Sequence, residues 1–342
     1  MSDTANPPST LDAWRLGPAV EYVARLQRSD GLIPWYAGGP ADPWDHVESA
    51  MGLSIGGRHD AAEAAYRWLA ETQLEDGSWW AVYSPGAGGN HSHRETHRSA
   101  YVATGVWHHY QVTGDRAFLE ALWPTVEAAL EFALDLQRPT GEIAWAVDED
   151  GTPDDEALVT GCSSLALSLA CGDRIATELG QDRAAWRQSR ADLCDAIRQP
   201  SRALSTGWMA KDDFSMYWFY PVLSGVLTGE AARDRLAGRE AEFVEPGLGC
   251  RCDATEPWVT VAESAELVMA LLAAGRRERA AEIFDWLFRW RDQEGVFWTG
   301  YQFEDDAIWP EERPTWTSGA ALLAADALGD LTPASGLFTD HA

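Results

Sequence analysis

Helical patterns of two kinds alternate along the chain. Six segments are apolar or small on every side, which is typical of helices buried all round. They cover residues 45–57, 97–114, 156–172, 213–229, 258–275 and 314–329. Six others are apolar on one face only, and they cover residues 11–27, 59–74, 117–137, 182–198, 230–243 and 277–292. The alternation predicts an all-α fold, an (α/α)6 barrel or toroid of inner and outer helices, as a single domain over residues 1–342. Pro221 lies inside the fourth buried segment and predicts that this helix is kinked or begins late.

A short repeat marks the ends of four outer helices. In each copy a Gln or Arg is followed by a Gly that permits a tight helix exit and then by a Trp. The copies are Gln27, Gly31 and Trp35; Gln73, Gly77 and Trp79; Gln137, Gly141 and Trp145; and Arg291, Gly295 and Trp298. We expect each Trp to fold back on the helix end.

Polar residues at the starts of the inner helices are the candidates for chemistry, because in such a ring these starts meet at one mouth. Asp42, Asp45 and Glu48 cluster at the first start. Either Asp42 or Asp45 is expected to cap the helix, but only one residue can do so. The remaining acids indicate a functional site, since clustered carboxylates perturb each other's pKa values.

A second pair of acids, Glu263 and Glu266, lies in the fifth inner helix among Val, Ala, Met and Leu. A buried carboxylate is costly unless it is paired or used. Glu263 is nearer the mouth and is the catalytic candidate, whereas Glu266 is the structural one. One of the two is expected to form an ion pair with Arg251.

Other helix starts carry weaker candidates that we interpret as caps or solvated loops, among them Glu95, His97, Arg98 and Lys211. The 18 Trp residues in turn suit a site that stacks flat apolar rings such as sugar faces. The side chains expected to contact a substrate are Trp35, Tyr36, Trp44, His46, Glu48, Tyr101, Asp213, Trp218, Tyr220, Trp258 and Trp316.

Charge and cysteine content restrict the partners and the cellular compartment that we expect. The net charge of −28 disfavours nucleic acid and anionic membranes as partners. The N-terminus has no apolar signal segment, and no run of residues is apolar enough to span a membrane. Five cysteines without framework spacing predict free thiols and a cytoplasmic protein.

No metal or other cofactor is expected. Cys250 and Cys252 are too close for the usual zinc-binding pair, and no second pair completes them. His91, His93 and His97 lie in a Gly-rich stretch without helical ligand spacing. The chain also lacks a phosphate-binding Gly motif after a strand.

The Gln–Gly–Trp repeats resemble the QW motifs of terpene cyclases and prenyltransferases, most clearly in Ala65, Trp68, Leu69, Gln73, Gly77 and Trp79. The D-x-D-D and D-D-x-x-D motifs of those enzymes are absent. The resemblance therefore concerns the scaffold, and an isoprenoid enzyme remains as the alternative function. A non-catalytic ring that binds carbohydrate or lipid is a third.

The chain as a whole resembles an actinobacterial group of methylmannose polysaccharide hydrolases, through residues 33–53, 101–124, 247–268 and 313–328. The resemblance implies a glycoside hydrolase, of the α-mannosidase type, acting on α-1,4-linked, partly 3-O-methylated mannose. Such cleavage needs two carboxyl groups on opposite sides of the bond. We expect endo attack and inversion, with Glu263 as acid, because apolar surroundings raise a carboxyl pKa, and Asp42 or Asp45 as base.

Overall fold

The structure, a computed structural model, describes residues 15–86, 88–90, 92–199 and 207–341. Over these residues twelve α-helices follow one another in the chain. The odd-numbered ones are α1 (Gly17–Leu26), α3 (His59–Thr72), α5 (Arg116–Leu134), α7 (Ala184–Arg198), α9 (Gly229–Phe243) and α11 (Arg277–Leu287). The even-numbered ones are α2 (Pro43–Ile55), α4 (Thr96–Thr113), α6 (Val159–Glu178), α8 (Ser215–Leu223), α10 (Val261–Ala273) and α12 (Thr315–Gly329). A short 3-10 helix, Phe288–Trp290, extends α11.

The even-numbered helices form a closed inner ring. Each contacts the next one along the chain, and α12 returns to contact α2. The odd-numbered helices pack outside this ring, each from α3 to α11 against the inner helix that precedes it and α1 against α12 and α2. The predicted (α/α)6 barrel is therefore confirmed.

Burial separates the two rings in the way that the hydrophobic patterns predict. Every residue of the inner helix α2 is buried except Asp45. The outer helix α3 buries one face only, made of Ala62, Ala65, Tyr66, Trp68 and Leu69. An inner helix is enclosed by neighbours on all sides, so it tolerates few polar positions. Within the described ranges, no helix is both long and apolar enough to cross a bilayer.

The inner helices α2 and α12 approach closely at two glycines. A Cβ atom on Gly319 would lie 2.7 Å from the carbonyl oxygen of Glu48, and one on Gly52 would lie 3.1 Å from the Cα atom of Gly319. Only glycine permits such an approach of two backbones. This contact closes the ring, because it joins the last inner helix to the first.

The Gln–Gly repeats link neighbouring outer helices. The side-chain amide of Gln73, after α3, donates to the carbonyl of Gly77 at 2.8 Å and to that of Thr125 in α5 at 2.9 Å. Gly77 has a φ of +89°, and a Cβ there would lie 2.2 Å from the carbonyl oxygen of Ala128. Equivalent amide bonds run from Gln27 to Gly31 and Ala61, and from Gln137 to Gly141 and Ser189.

The tryptophans of these repeats do not behave alike. Trp79 folds back as predicted, and its indole N–H donates to the carbonyl of Leu69 in α3 at 3.0 Å. The indole N–H of Trp35 instead donates to Asp42, at the start of α2. Trp145 lines the cavity described below. For Trp35 and Trp145 the turn thus places the ring at the mouth of the barrel.

Helix α8 is shorter than predicted, and Pro221 lies inside it. It begins at Ser215 rather than late, and it ends at Leu223. Pro221 lacks the N–H that would bond the carbonyl of Tyr217. That carbonyl accepts a hydrogen bond from the guanidinium of Arg235 in α9, at 2.9 Å.

Nine short strands lie among the described residues, and the helical patterns did not predict them. They are β1 (Tyr83–Ser84), β2 (Gly88–Gly89), β3 (His93–Glu95), β4 (Ala146–Asp148), β5 (Val244–Glu245), β6 (Gly249–Arg251), β7 (Trp258–Thr260), β8 (Gly300–Gln302) and β9 (Ala307–Ile308). β1 pairs with β2 and β3 with β4, while β5 to β9 form an antiparallel sheet in chain order. β3 leads directly into α4 and β7 into α10, so these strands fix the loops at the mouth.

Candidate active site

A cavity of about 480 Å³ opens where the inner helices α2, α4, α6, α8 and α12 begin. Its wall is made of the first turns of these helices and the loops before them. The lining residues are Asp42, Trp44, Asp45, Glu95, His97, Arg98, Trp145, Leu158, Thr160, Met209, Lys211, Phe214, Met216 and Trp316. The cavity therefore lies at the mouth that the sequence pattern predicts.

Asp42 is the cap of α2. One carboxylate oxygen accepts hydrogen bonds from the backbone N–H groups of Trp44 at 2.8 Å and Asp45 at 3.1 Å. The other oxygen accepts the indole N–H of Trp35 at 2.7 Å. Three donors thus hold Asp42 in place, and the choice between Asp42 and Asp45 as cap is decided.

Asp45 is the acid of α2 that faces the cavity. Removal from water raises its pKa well above the usual value, and the charges of Asp42 and Glu48 and a hydrogen bond with Asp42 raise it further. The guanidinium of Arg98 opposes this shift. The shift therefore favours the protonated form of the Asp45 carboxyl.

Arg98 belongs to a buried polar group at the start of α4. Its Nε lies 2.9 Å from Glu95, whose carboxylate also lies 3.2 Å from the Nε2 atoms of His93 and His97. Burial lowers the pKa of His97 to about 3, so this imidazole is neutral at pH 7. The sequence interpretation of these residues as caps or solvated loop was wrong, because they line the cavity together.

An aromatic stack supports the cavity from α2 and α4. Trp44 stacks on Tyr101 with ring centroids 4.4 Å apart, and its indole N–H donates to Glu48 at 3.1 Å. Burial raises the pKa of Glu48 to about 8, helped by the charges of Asp42 and Glu263 and opposed by the Trp44 hydrogen bond. Trp44 lines the cavity, whereas Glu48 and Tyr101 are buried and are not among its lining residues.

Glu263 and Glu266 occupy the first turns of α10, and both are buried. Glu266 accepts a hydrogen bond from the hydroxyl of Tyr220, which fits its predicted structural role. Glu263 accepts a hydrogen bond from the thiol of Cys252. Neither glutamate pairs with Arg251, contrary to expectation, because that guanidinium binds Glu245 at 2.7 Å.

Glu263 lies beside a second depression rather than in the wall of the cavity. Cys252 lines this depression, called here the aromatic groove, and Phe214 lines both it and the cavity. The groove is lined by Phe214, Cys252, Asp253, Glu256, Pro257, Trp258, Gln302, Asp305, Ala307 and Trp309.

Two residues predicted to contact substrate are core residues. His46 is fully buried, its Nδ1 accepts the N–H of Ile33 at 3.0 Å, and its Nε2 lies 2.9 Å from the carbonyl oxygen of Ala65. Burial lowers its pKa to about 4. Trp218 donates its indole N–H to the carbonyl of Arg235 and stacks on Phe243, so it joins α8 to α9. Both predictions were wrong, since neither side chain reaches the cavity.

The other predicted contact residues are placed as follows. Trp316 lines the cavity, and Trp258 lines the aromatic groove. Tyr220 is buried, donates its hydroxyl to Glu266, and is not among the residues that line the cavity. Tyr36 is half-buried and Asp213 is exposed, and neither is among the residues that line the cavity.

Two residues that line the cavity also carry buried polar atoms without a protein partner, which the sequence did not predict. The indole Nε1 of Trp145 and the Nδ1 of His97 are both buried and unbonded among the described residues. The sequence did single out Trp145, because it ends one of the Gln–Gly–Trp repeats. Both residues line the cavity through other atoms, and unpaired buried polar atoms are uncommon in folded proteins.

The described residues include no group of three or more His, Cys, Asp or Glu side chains arranged to hold a metal ion. Cys250 and Cys252 are both free thiols. Of the three histidines considered in the sequence, His93 and His97 contact Glu95, and His91 lies outside the described residues.

Comparison with known proteins places the chain. No family model matches it. It is 44% identical over 331 residues to the MMP endo-(1,4)-3-O-methyl-α-D-mannosidase of Mycolicibacterium hassiacum, covering 97% of this chain and 90% of that enzyme. Among solved structures, a wild-type glycosidase matches with a TM-score of 0.71 at 16% identity, over 94% of this chain and 99% of that one.

The GH63 mannosylglycerate hydrolase of Thermus thermophilus matches with a TM-score of 0.70 at 16% identity, over 89% of this chain and 98% of that one. These structures share the fold, and by its sequence identity the chain belongs to the family of MMP endo-(1,4)-3-O-methyl-α-D-mannosidases.

Proposed function

We propose that this chain is a glycoside hydrolase that cleaves α-1,4 bonds inside 3-O-methylated mannose polysaccharides and inverts the anomeric centre. The identity to the mycobacterial enzyme supports the substrate class. One observation carries the catalytic part. Asp45 and Glu263 lie in the first turns of two inner helices, and each interacts electrostatically with the same buried carboxyl, Glu48.

Asp45 is the proton donor in this proposal. Its raised pKa favours the protonated carboxyl, which can give its proton to the leaving glycosidic oxygen. This reverses the sequence-based assignment, in which an Asp was the base. The reversal has a physical cause, because the anionic cap Asp42 is hydrogen-bonded beside Asp45.

Glu263 is the base that activates the attacking water. It accepts a hydrogen bond from the thiol of Cys252, and it lies in the first turn of α10. Helices α2 and α10 are separated in the ring by α12 alone on one side, so their first turns face the mouth from different directions. In an inverting mechanism the base takes a proton from water on the face opposite the leaving group.

The rest of the protein serves this reaction in the same proposal. The whole chain is one catalytic unit, it uses no cofactor, and it acts in the cytoplasm. The free cysteines support a reducing compartment. A net charge of −28 suits a neutral polysaccharide better than nucleic acid or an anionic membrane.

The test is a product assay on α-1,4-linked mannan that carries 3-O-methyl groups, with prenyl diphosphates assayed in parallel. The wild type is expected to release shorter oligosaccharides, and NMR of the first products is expected to show the inverted β-anomer. Asp45→Asn and Glu263→Gln are expected to release them at least about a hundredfold more slowly. Asp60→Asn, in the first turn of the outer helix α3, is the matched control.

Two outcomes would contradict the proposal. Intact mannan together with a converted prenyl diphosphate would move the function to isoprenoid chemistry. First products of the α-configuration would replace inversion with retention, and Glu263 would then be a nucleophile rather than a base.

A further inference from the structure

The aromatic groove carries the most exposed rings of the described surface. Trp309 is 55% exposed and Phe214 is 38% exposed, and they are the only large hydrophobic side chains classed as exposed among the described residues. Both line the groove, whose volume is about 580 Å³. Exposed aromatic rings gathered in one place mark a binding surface, because burial against a ligand removes them from water.

The Trp309 ring is held in place before any ligand arrives. Its backbone N–H donates to the carbonyl of Gly300 at 3.1 Å, and its own carbonyl accepts the indole N–H of Trp258 at 2.7 Å. The two indole rings meet edge to face, with centroids 5.0 Å apart and planes at 80°. A fixed ring loses little conformational entropy on binding.

The polar side chains of the groove restrict what it binds. Asp253, Glu256 and Asp305 supply carboxylate oxygens along it. These groups accept hydrogen bonds from hydroxyls and repel anions such as phosphates. A neutral ligand with many hydroxyls and some apolar surface fits, and a methylated sugar chain has both.

The groove is also continuous with the catalytic site. Phe214 lines both the groove and the cavity, and Cys252 in the groove donates its thiol hydrogen bond to Glu263. A polysaccharide that leaves the cavity past Phe214 therefore enters the groove next to Glu263, one of the two carboxyls of the proposed mechanism.

We propose that the aromatic groove binds the mannose units of the same polysaccharide that lie beyond the cavity, with Trp309 and Phe214 stacked on their apolar faces. This inference rests on the proposed function, since an enzyme that cleaves inside a chain must hold it on both sides of the bond. The groove then sets the preference for long chains over short ones.

The test measures binding to the inactive Asp45→Asn protein, so that turnover does not interfere. Calorimetry compares a long methylated mannan with a short oligosaccharide that fills the cavity alone. Trp309→Ala is expected to weaken binding of the long chain about tenfold and to leave the short one unchanged. Trp309→Phe is expected to restore most of the affinity. Trp286→Ala, a half-buried tryptophan on the outer helix α11, is the control and is expected to change neither.

Equal affinity of Trp309→Ala and its parent for the long chain would overturn the inference, and so would equal losses for both ligands. A change of Trp309→Ala from dimer to monomer in sedimentation would assign the groove to a second copy of the chain instead. Failure of the wild type to cleave mannan that the inactive protein binds would sink the proposed function but leave the groove as a mannan-binding site.

Discussion

The carboxylate of Asp42 accepts the backbone N–H of Asp45 at 3.1 Å, so one acid caps the helix that presents the other. The cap stabilises the helix start by satisfying its free N–H groups. The same anion raises the pKa of Asp45, which points into the cavity. In the proposed function the two neighbouring aspartates therefore have different roles, with Asp42 as the helix cap and Asp45 as the acid.

Substitution of the two residues should separate these tasks. Asp42→Ala is expected to lower the free energy of unfolding by about 1–2 kcal/mol, because the cap of α2 is lost. Asp45→Asn is expected to keep the stability and to reduce kcat by about 10²–10⁴-fold, since an amide donates no acid proton. Urea denaturation and initial rates measure the two effects. A stability loss in Asp45→Asn as large as that in Asp42→Ala would make Asp45 structural.

Arg98 should control the pH range of the reaction. Its charge lowers the pKa of Asp45, so Arg98→Met is expected to raise that pKa. Because Asp45 must be protonated to act, the high-pH limb of the kcat/KM profile should move to higher pH, whatever happens to the maximal rate. Arg67→Met, which breaks an exposed pair with Glu63 on α3, is the control. A limb that stays in place or moves down would rule out Asp45 as the acid.

Glu48 should make the protein less stable as the pH rises. Its folded pKa is about 8 and its usual value is 4.5, so between these values the folded state holds a proton that the unfolded state has lost. The free energy of unfolding therefore falls with rising pH across this window, by at most about 1.4 kcal/mol per pH unit from this group, and then levels off. Glu48→Gln mimics the protonated acid and is expected to reduce the slope.

Thermal unfolding at pH 5 and pH 8 checks this expectation. The Tm of Glu48→Gln should exceed that of the wild type by more at pH 8 than at pH 5. Glu71→Gln, on the exposed side of α3, should leave the difference between the two pH values unchanged. If Glu48→Gln and the wild type lost equal stability between these pH values, Glu48 would be ionised in the folded protein throughout.

Substitution of Gly77 should destabilise the protein far more than substitution of a glycine that also has positive φ but has free space around its Cα atom. Gly77→Ala is expected to cost about 2–5 kcal/mol, because the new Cβ would lie 2.2 Å from the Ala128 carbonyl oxygen. Gly180 has a φ of +75° with no heavy atom within 4 Å of such a Cβ, so Gly180→Ala should cost only about 1–2 kcal/mol. If chemical denaturation gave equal losses of unfolding free energy for Gly77→Ala and Gly180→Ala, the backbone conformation alone would account for both.

The ring could be predicted from the sequence because inner helices must be apolar on all sides, and that pattern needs no knowledge of partners. The same logic placed Asp42 and Asp45 together at the start of α2, but it left open which of them caps the helix. The cap is Asp42. The short strands could not be predicted, because two or three residues give no alternating pattern.

The errors in the site arose from partners that are distant in sequence. His46 bonds Ile33 and Ala65, and Trp218 bonds Arg235, so their polar atoms are satisfied inside the core. A single sequence shows the polar atom but not what it meets. The group around Glu95 had a different cause, because its members are close in sequence. A three-residue strand and the first turn of α4 bring them together, and that strand was not predicted.

The outer ring is held together in two ways. Amide hydrogen bonds from Gln27, Gln73 and Gln137 join α1 to α3, α3 to α5 and α5 to α7. Between α9 and α11 the bonds described are ion pairs of Glu240 with Arg276 and Arg279. Salt weakens ion pairs but not amide bonds to carbonyls. Concentrated salt should therefore loosen the barrel on one flank first, so that hydrogen exchange quickens in α9 and α11 while the glutamine-linked half stays protected.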